Sequence, residues 1–213
     1  MIEITPLQKL IFGKIFELTG PCNSIFIAGG AVTDLDHAGD IDVWFGKSNE
    51  KATIAFLKKC TIGHLTPPSQ YGSATRFGDA YIAGIDWPIQ VMLTSDDKPQ
   101  DTLATFDIST HQWAYTSRGI LIRGSHATDP HEPVQVLHTQ NPSTMARYIK
   151  ICRRYHQAVD IGQIQAFKQT MWPDEKKRSI LDGVQPLSIS YLLGQTPVQY
   201  PVIETIKDED IPF

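Results

Sequence analysis

Residues 24–45 read Ser-Ile-Phe-Ile-Ala-Gly-Gly-Ala-Val-Thr-Asp-Leu-Asp-His-Ala-Gly-Asp-Ile-Asp-Val-Trp-Phe. A short apolar run, 24–28, closes on Gly29-Gly30, and a second begins where Asp40 and Asp42 flank Ile41. Both runs predict strands. Residues i and i+2 of a strand point to the same side, so a strand over 40–45 projects the two carboxylates together. Two carboxylates on one face can share divalent cations, Mg2+ or Mn2+. The glycine pair lets backbone approach a phosphate without a side chain in the way. A brief helix over 31–36 would add its N-terminal amides as an anion site. The pattern suits the holding of a nucleoside triphosphate (NTP) with metal.

Outward from this stretch, residues 5–19 carry Leu7, Leu10, Ile11, Ile15, Phe16 and Leu18 at helical spacing, stopped by Gly20-Pro21. Residues 49–60 predict a second helix, and 66–72 a loop rich in Pro, Ser and Gly. Residues 79–85 and 88–94 predict a hairpin, 95–100 a polar turn, and 120–123 a short strand, with another strand inside 103–115. Arg76 and Lys98 read as isolated loop cations. The Pro- and His-rich stretch 125–142 reads as a linker. Ser143 is positioned to cap a helix running to about 159, followed by another over 161–170 and an irregular tail from 185. The expected organisation is a head over 1–125 and a helical C-terminal subdomain with its tail over 140–213.

Composition narrows the function classes. Hydrophobic residues make up 41 % of the 213, which supports a core. No run of 18 apolar residues is present, and the N-terminal residues lack a basic segment followed by an apolar one, so neither a membrane span nor a secretory signal is expected. Cys22, Cys60 and Cys152 are odd in number and far apart, which fits reduced thiols in the cytoplasm better than a disulfide or zinc framework. His126, His131 and His138 are too unevenly spaced to make a zinc set. The net charge of −4 is unevenly spread: −5 over 1–140, +5 over 141–180 and −4 over 181–213. The central block can meet phosphate, whereas the acidic head needs cations to do so.

Three segments together resemble the DNA polymerase β-type nucleotidyltransferase superfamily, nearest the head domain of CCA-adding enzymes and bacterial poly(A) polymerases. The first is Gly29-Gly30-Ala31-Val32-Thr33-Asp34 followed by Asp40-Ile41-Asp42, similar to Gly-Gly-x-Val-Arg-Asp and Asp-x-Asp. The second, from Phe106-Asp107-Ile108 to Tyr115, is similar to Arg-Arg-Asp-Phe-Thr-x-Asn-Ala-Leu-x-Tyr. The third runs from Asn141-Pro142 through the basic helix to Tyr155. The compact form also resembles small bacteriophage members. The resemblance implies an α+β fold, a mixed sheet with helices on one face. It implies metal-dependent transfer of a nucleoside monophosphate from NTP to a hydroxyl, with an RNA 3′ end as acceptor. Asp40 and Asp42 would be catalytic and hold Mg2+ or Mn2+. Gly29, Gly30, Thr33 and Asp34 would line the nucleotide, Asp107 would meet the sugar, and Arg147, Lys150, Arg153 and Arg154 would meet phosphate, base or RNA backbone.

The chain departs from the pattern in places. Thr33 stands at an arginine position, Thr105-Phe106 replaces Arg-Arg, His111-Gln112 replaces Asn-Ala, and Gln90 stands where many members have a third acid. Asp174-Glu175-Lys176-Lys177-Arg178 has the letters of the family's acid-acid-x-x-Arg base-selecting motif and also those of a charged helix start. Asp34 reads more readily as a helix cap or the partner of a basic neighbour, and Asp107 equally as a buried hydrogen-bonding group. The departures leave two other readings open: a transferase acting on a protein or small molecule, and a catalytically degenerate protein that binds a partner through the inherited surface.

Overall fold

A computed structural model of the chain describes residues 2–20, 22, 24–64, 69–71, 74–138 and 143–171. Asn141-Pro142, the 174–178 segment and the expected tail lie outside the described residues. The fold is α+β. The chain divides into two compact units, residues 1–151 and a second starting at Cys152.

The first unit opens with α1 (Pro6–Thr19), where Thr5 and Gln8 cap each other reciprocally and Pro6 starts the first turn. There follow β1 (Ile25–Ala28), α2 (Gly30–Thr33), β2 (Ile41–Phe45), α3 (Glu50–Lys59), β3 (Thr61–His64), β4 (Ser69–Tyr71), β5 (Ala74–Tyr81), β6 (Ile89–Thr94), α4 (Pro99–Leu103), β7 (Trp113–Thr116) and β8 (Leu121–Arg123). The strands form one mixed sheet in the order β3-β5-β6-β2-β1-β7-β8, with β4 beside β5. β2 and β6 run parallel, and the other pairs are antiparallel.

Strand alternation sorts the side chains into two layers. Ile25, Ile27, Ile41, Val43, Phe45, Ile89 and Val91 face a core shared with Phe12 and Ile15 of α1 and Phe56 and Leu57 of α3. Each large apolar side chain fully buried there stabilises the fold by about 1.5–3 kcal/mol. Phe26, Ala28, Trp44, Met92 and Ala114 point the other way, into a smaller cluster with Leu103 of α4. The larger helices thus cover one face, as expected, and α4 lies against the opposite one. Asp42 belongs to this second face by alternation, so the acids open away from α1 and α3.

Several expected elements shift. The loop 66–72 contains β4, the strand expected from residue 79 begins at Ala74, and the turn 95–100 runs into α4. The stretch 125–138 is no free linker. Ile108 bridges Val136, Ser109 exchanges backbone hydrogen bonds with Gln135 and Thr128, and the Leu137 N–H donates to the Asp107 carbonyl at 2.8 Å. Prolines there break helix and sheet, but the backbone still pairs with the 107–112 motif.

Helix α5 (Thr144–Arg154) begins where expected but ends five residues before 159. Its terminus turns at His156, whose φ of 54° is left-handed, and the Gln157 N–H closes on the Cys152 carbonyl at 2.8 Å. In the second unit Asp160 caps α6 (Ile161–Met171), its carboxylate accepting from the Gly162 N–H at 2.8 Å.

Candidate active site

Gly29 makes the turn out of β1 with φ 84° and ψ −153°, a conformation open to glycine almost alone. A Cβ added there would lie 3.2 Å from Asp42 Oδ2 and 4.0 Å from the Phe106 ring. The bare glycine, a carboxylate and an aromatic edge therefore converge on one point. Gly30 is ordinary helical backbone, and a Cβ there would meet His111 Nε2 at 3.6 Å. The loop is held from behind by α1: the buried Gln8 amide donates to the Ala31 and Val32 carbonyls at 2.8 and 2.9 Å. α2 is only four residues long, too short for the expected anion site at a helix start. Thr33 turns its hydroxyl back onto the Gly30 carbonyl at 3.0 Å, and Asp34 pairs with His37 at 3.0 Å.

The sheet register sets the acids in a row. Ala114, Ala28, Asp42, Gln90 and Asp79 lie side by side across β7, β1, β2, β6 and β5. The two alanines are buried in the cluster with Leu103 and Phe106, so the polar part of the row starts at Asp42. Gln90, at the third-acid position, donates its amide to Asp40 Oδ2. A carboxylate does occur in the row, one strand further out, at Asp79.

Asp79 and Arg76 are the residues that sequence reading missed, and Arg76 is no isolated loop cation. It lies on β5 and pairs with Asp79 at 2.8 Å. Arg76 is opposite Met92 and Asp79 opposite Gln90, so β5 uses three steps where β6 uses two. The extra residue is absorbed beside Gly78, at φ 106°. This bulge brings two side chains an odd number apart onto one face, which period-two alternation cannot anticipate.

Burial raises the pKa of Asp42 to about 7, the charge of Asp40 adds to the rise, and Arg76 and Arg147 oppose it. Asp40 is also raised, by burial and then by Asp79, with Arg76 and Lys150 opposing. Ionising both acids is unfavourable without a nearby cation. That electrostatic demand fits a divalent metal held by Asp40 and Asp42, with substrate oxygens and water completing the shell, since Mg2+ needs only one or two carboxylates from protein. Among the described residues no set of three or more His, Cys, Asp or Glu is placed to hold a metal unaided.

α5 supplies the positive side. Asp107 Oδ2 accepts from both the Thr144 hydroxyl and the Arg147 guanidinium, which fixes the first turn of α5 on the 107–112 motif. Arg147 and Lys150, three apart, lie near enough to act on Asp42 and Asp40 respectively. Arg153 and Arg154 continue the helix beyond the first unit. Phe106, where an arginine was expected, tilts on Trp44 at 5.3 Å between ring centroids. Apolar packing explains that departure: the ring pins the motif to the sheet.

A Gly-Gly turn, paired acids and a mixed sheet of this order define a nucleotidyltransferase fold, and solved structures share it. The Thermotoga maritima CCA-adding enzyme in complex with tRNA aligns with a TM-score of 0.57 at 16 % identity, covering 89 % of this chain and 47 % of that one. CCA-adding enzyme complexes with CTP and with ATP give TM-scores of 0.55 and 0.54 at 17 % and 16 % identity, over 89 % of this chain and 46 % and 48 % of theirs. The chain spans about half the length of these proteins. No family model and no curated protein matches it.

Proposed function

We propose that the chain transfers a nucleoside monophosphate from an NTP to a hydroxyl, with an RNA 3′ end as the acceptor. The observation that carries this reading is the juxtaposition of Asp40 and Asp42 with the Gly29 turn on one side and the α5 cations on the other. Gly29 leaves room for a phosphate beside the acids. Arg147 and Lys150 offer positive charge to the triphosphate and to the leaving pyrophosphate. Asp40 and Asp42 would hold Mg2+ or Mn2+, which neutralises phosphate charge and lowers the pKa of an attacking hydroxyl. Asp107 orients Arg147 through its shared oxygen and would meet the sugar. Arg153 and Arg154, at the end of α5, would meet an RNA backbone. The chain's contribution is positioning and electrostatics rather than a covalent intermediate.

The solved relatives with tRNA, ATP and CTP support an NTP and an RNA as partners. Three free cysteines fit a reducing compartment such as the cytoplasm, and among the described residues no helix is long and apolar enough to cross a membrane. The binding-only reading draws on Gln90, whose amide is bonded to Asp40, and on Thr33, whose hydroxyl is bonded to its own helix. Incubation with labelled NTPs, Mg2+ or Mn2+ and mixed RNA separates the readings. Label on RNA 3′ ends is the expected result, label on protein selects a different acceptor, and neither transfer nor NTP binding removes the proposal.

A further inference from the structure

Arg76 stands out because, among the described residues, its one side-chain partner is Asp79. One of its terminal nitrogens donates to Asp79 at 2.8 Å, and the two side chains are 34 % and 38 % exposed. An ion pair that exposed contributes little to stability. Its Nε is buried and, among the described residues, has no hydrogen-bond partner. A guanidinium has five donors in a planar fork, so most of this one remains available to an anion. Its partner Asp79 stands in the same row as Asp42 and Gln90, which places the pair on the face that carries the acids. The Gly78 bulge, with its left-handed backbone, puts Arg76 on the open face together with Asp79. On the glycine loop, by contrast, Thr33 supplies no cation and spends its hydroxyl on Gly30.

We propose that Arg76 is a triphosphate-binding residue of this site: its guanidinium donates to phosphate oxygens from the sheet side, supplying the charge that Thr33 lacks, while Asp79 holds the fork in place when no nucleotide is bound. The inference rests on the transfer function proposed above.

Calorimetric titration in Ca2+ tests it without turnover, with ATP and CTP compared against AMP and CMP. Arg76→Gln is expected to weaken triphosphate binding about tenfold or more, the size of a lost charge-assisted hydrogen bond, and monophosphate binding less than about twofold. Arg76→Lys keeps the charge without the fork and should fall between. Asp79→Asn frees the guanidinium and should leave triphosphate binding unchanged or tighter. Equal losses for triphosphate and monophosphate, no loss, or an Asp79→Asn variant that reproduces Arg76→Gln would overturn the inference. Thermal unfolding accompanies each titration; if Arg76→Gln does not fold, Arg76→Lys against Asp79→Asn decides by the same criterion. Failure of the unaltered chain to bind any of the four nucleotides would instead remove the transfer function itself, and this inference with it.

Discussion

The β1–β2 pair and the β5–β6 pair both border the site, and they present their charges differently. β1 pairs with β2 in unbroken antiparallel register from Ile25↔Phe45 to Ala28↔Asp42. Its polar groups come at the ends, where Gly29 turns and Asp40 and Asp42 begin the next strand. β5 pairs with β6 through a register shift, and Arg76 and Asp79 emerge from the middle of the strand. A regular pair can place a metal-binding group only where alternation allows. A bulged pair can put adjacent opposite charges on one face at the cost of a glycine.

The largest effect should come from the regular pair. Asp42→Asn is expected to lower transfer by about 10³-fold or more, since it removes a carboxylate that supports several kcal/mol of transition-state charge stabilisation. The same change should raise stability at neutral pH. The folded pKa of Asp42, about 7, lies above the ordinary 3.8, so the folded state binds the extra proton between these values. Stability contributed at this position therefore falls as pH rises from about 4 to about 7, then levels off. With EDTA present, the melting temperature of Asp42→Asn should match the parent near pH 4 and exceed it at pH 8. Identical curves at both pH values would refute the burial of that charge.

Within the glycine loop the two glycines should separate. Gly29→Ala meets both a forbidden φ and the Asp42 carboxylate, and should cost about 1–3 kcal/mol in chemical denaturation as well as nucleotide binding. Gly30→Ala, with only an ordinary contact to His111, should change stability by less than about 1 kcal/mol. The bulged pair gives the counterpart: Gly78→Ala at φ 106° should cost about 1–3 kcal/mol, with a smaller loss of nucleotide affinity than Gly29→Ala. Last, Gln8→Leu leaves two α2 carbonyls without their donor and should cost about 1–2 kcal/mol, read by urea denaturation.

What could be read from the chain followed the same division. The Gly-Gly turn, the Asp-x-Asp strand and the start of α5 carry their signal within a few residues, so position and side-chain direction follow from local rules. Asp79 and Arg76 became neighbours only through an extra residue that periodicity treats as an error. Gln8 acts on a loop 23 residues away, and its role is invisible until α1 docks. The pinning of 125–138 on the 107–112 motif was hidden because prolines and histidines there resemble a linker, while the pairing that holds the segment uses backbone groups that carry no residue code. Thr33 and Phe106 were legible as departures, but their reasons, a self-bonded hydroxyl and a ring on Trp44, required the packed structure.

The widened step in β5 also makes one position of the sheet expendable in length. Excising Gly78 alone would leave Arg76 across from Met92 and Asp79 across from Gln90, now in plain alternation. A deletion between the bulge and the end of the strand would instead turn Asp79 or the residues after it toward the wrong layer. A one-residue shortening that keeps both charges on the open face is therefore confined to the bulge.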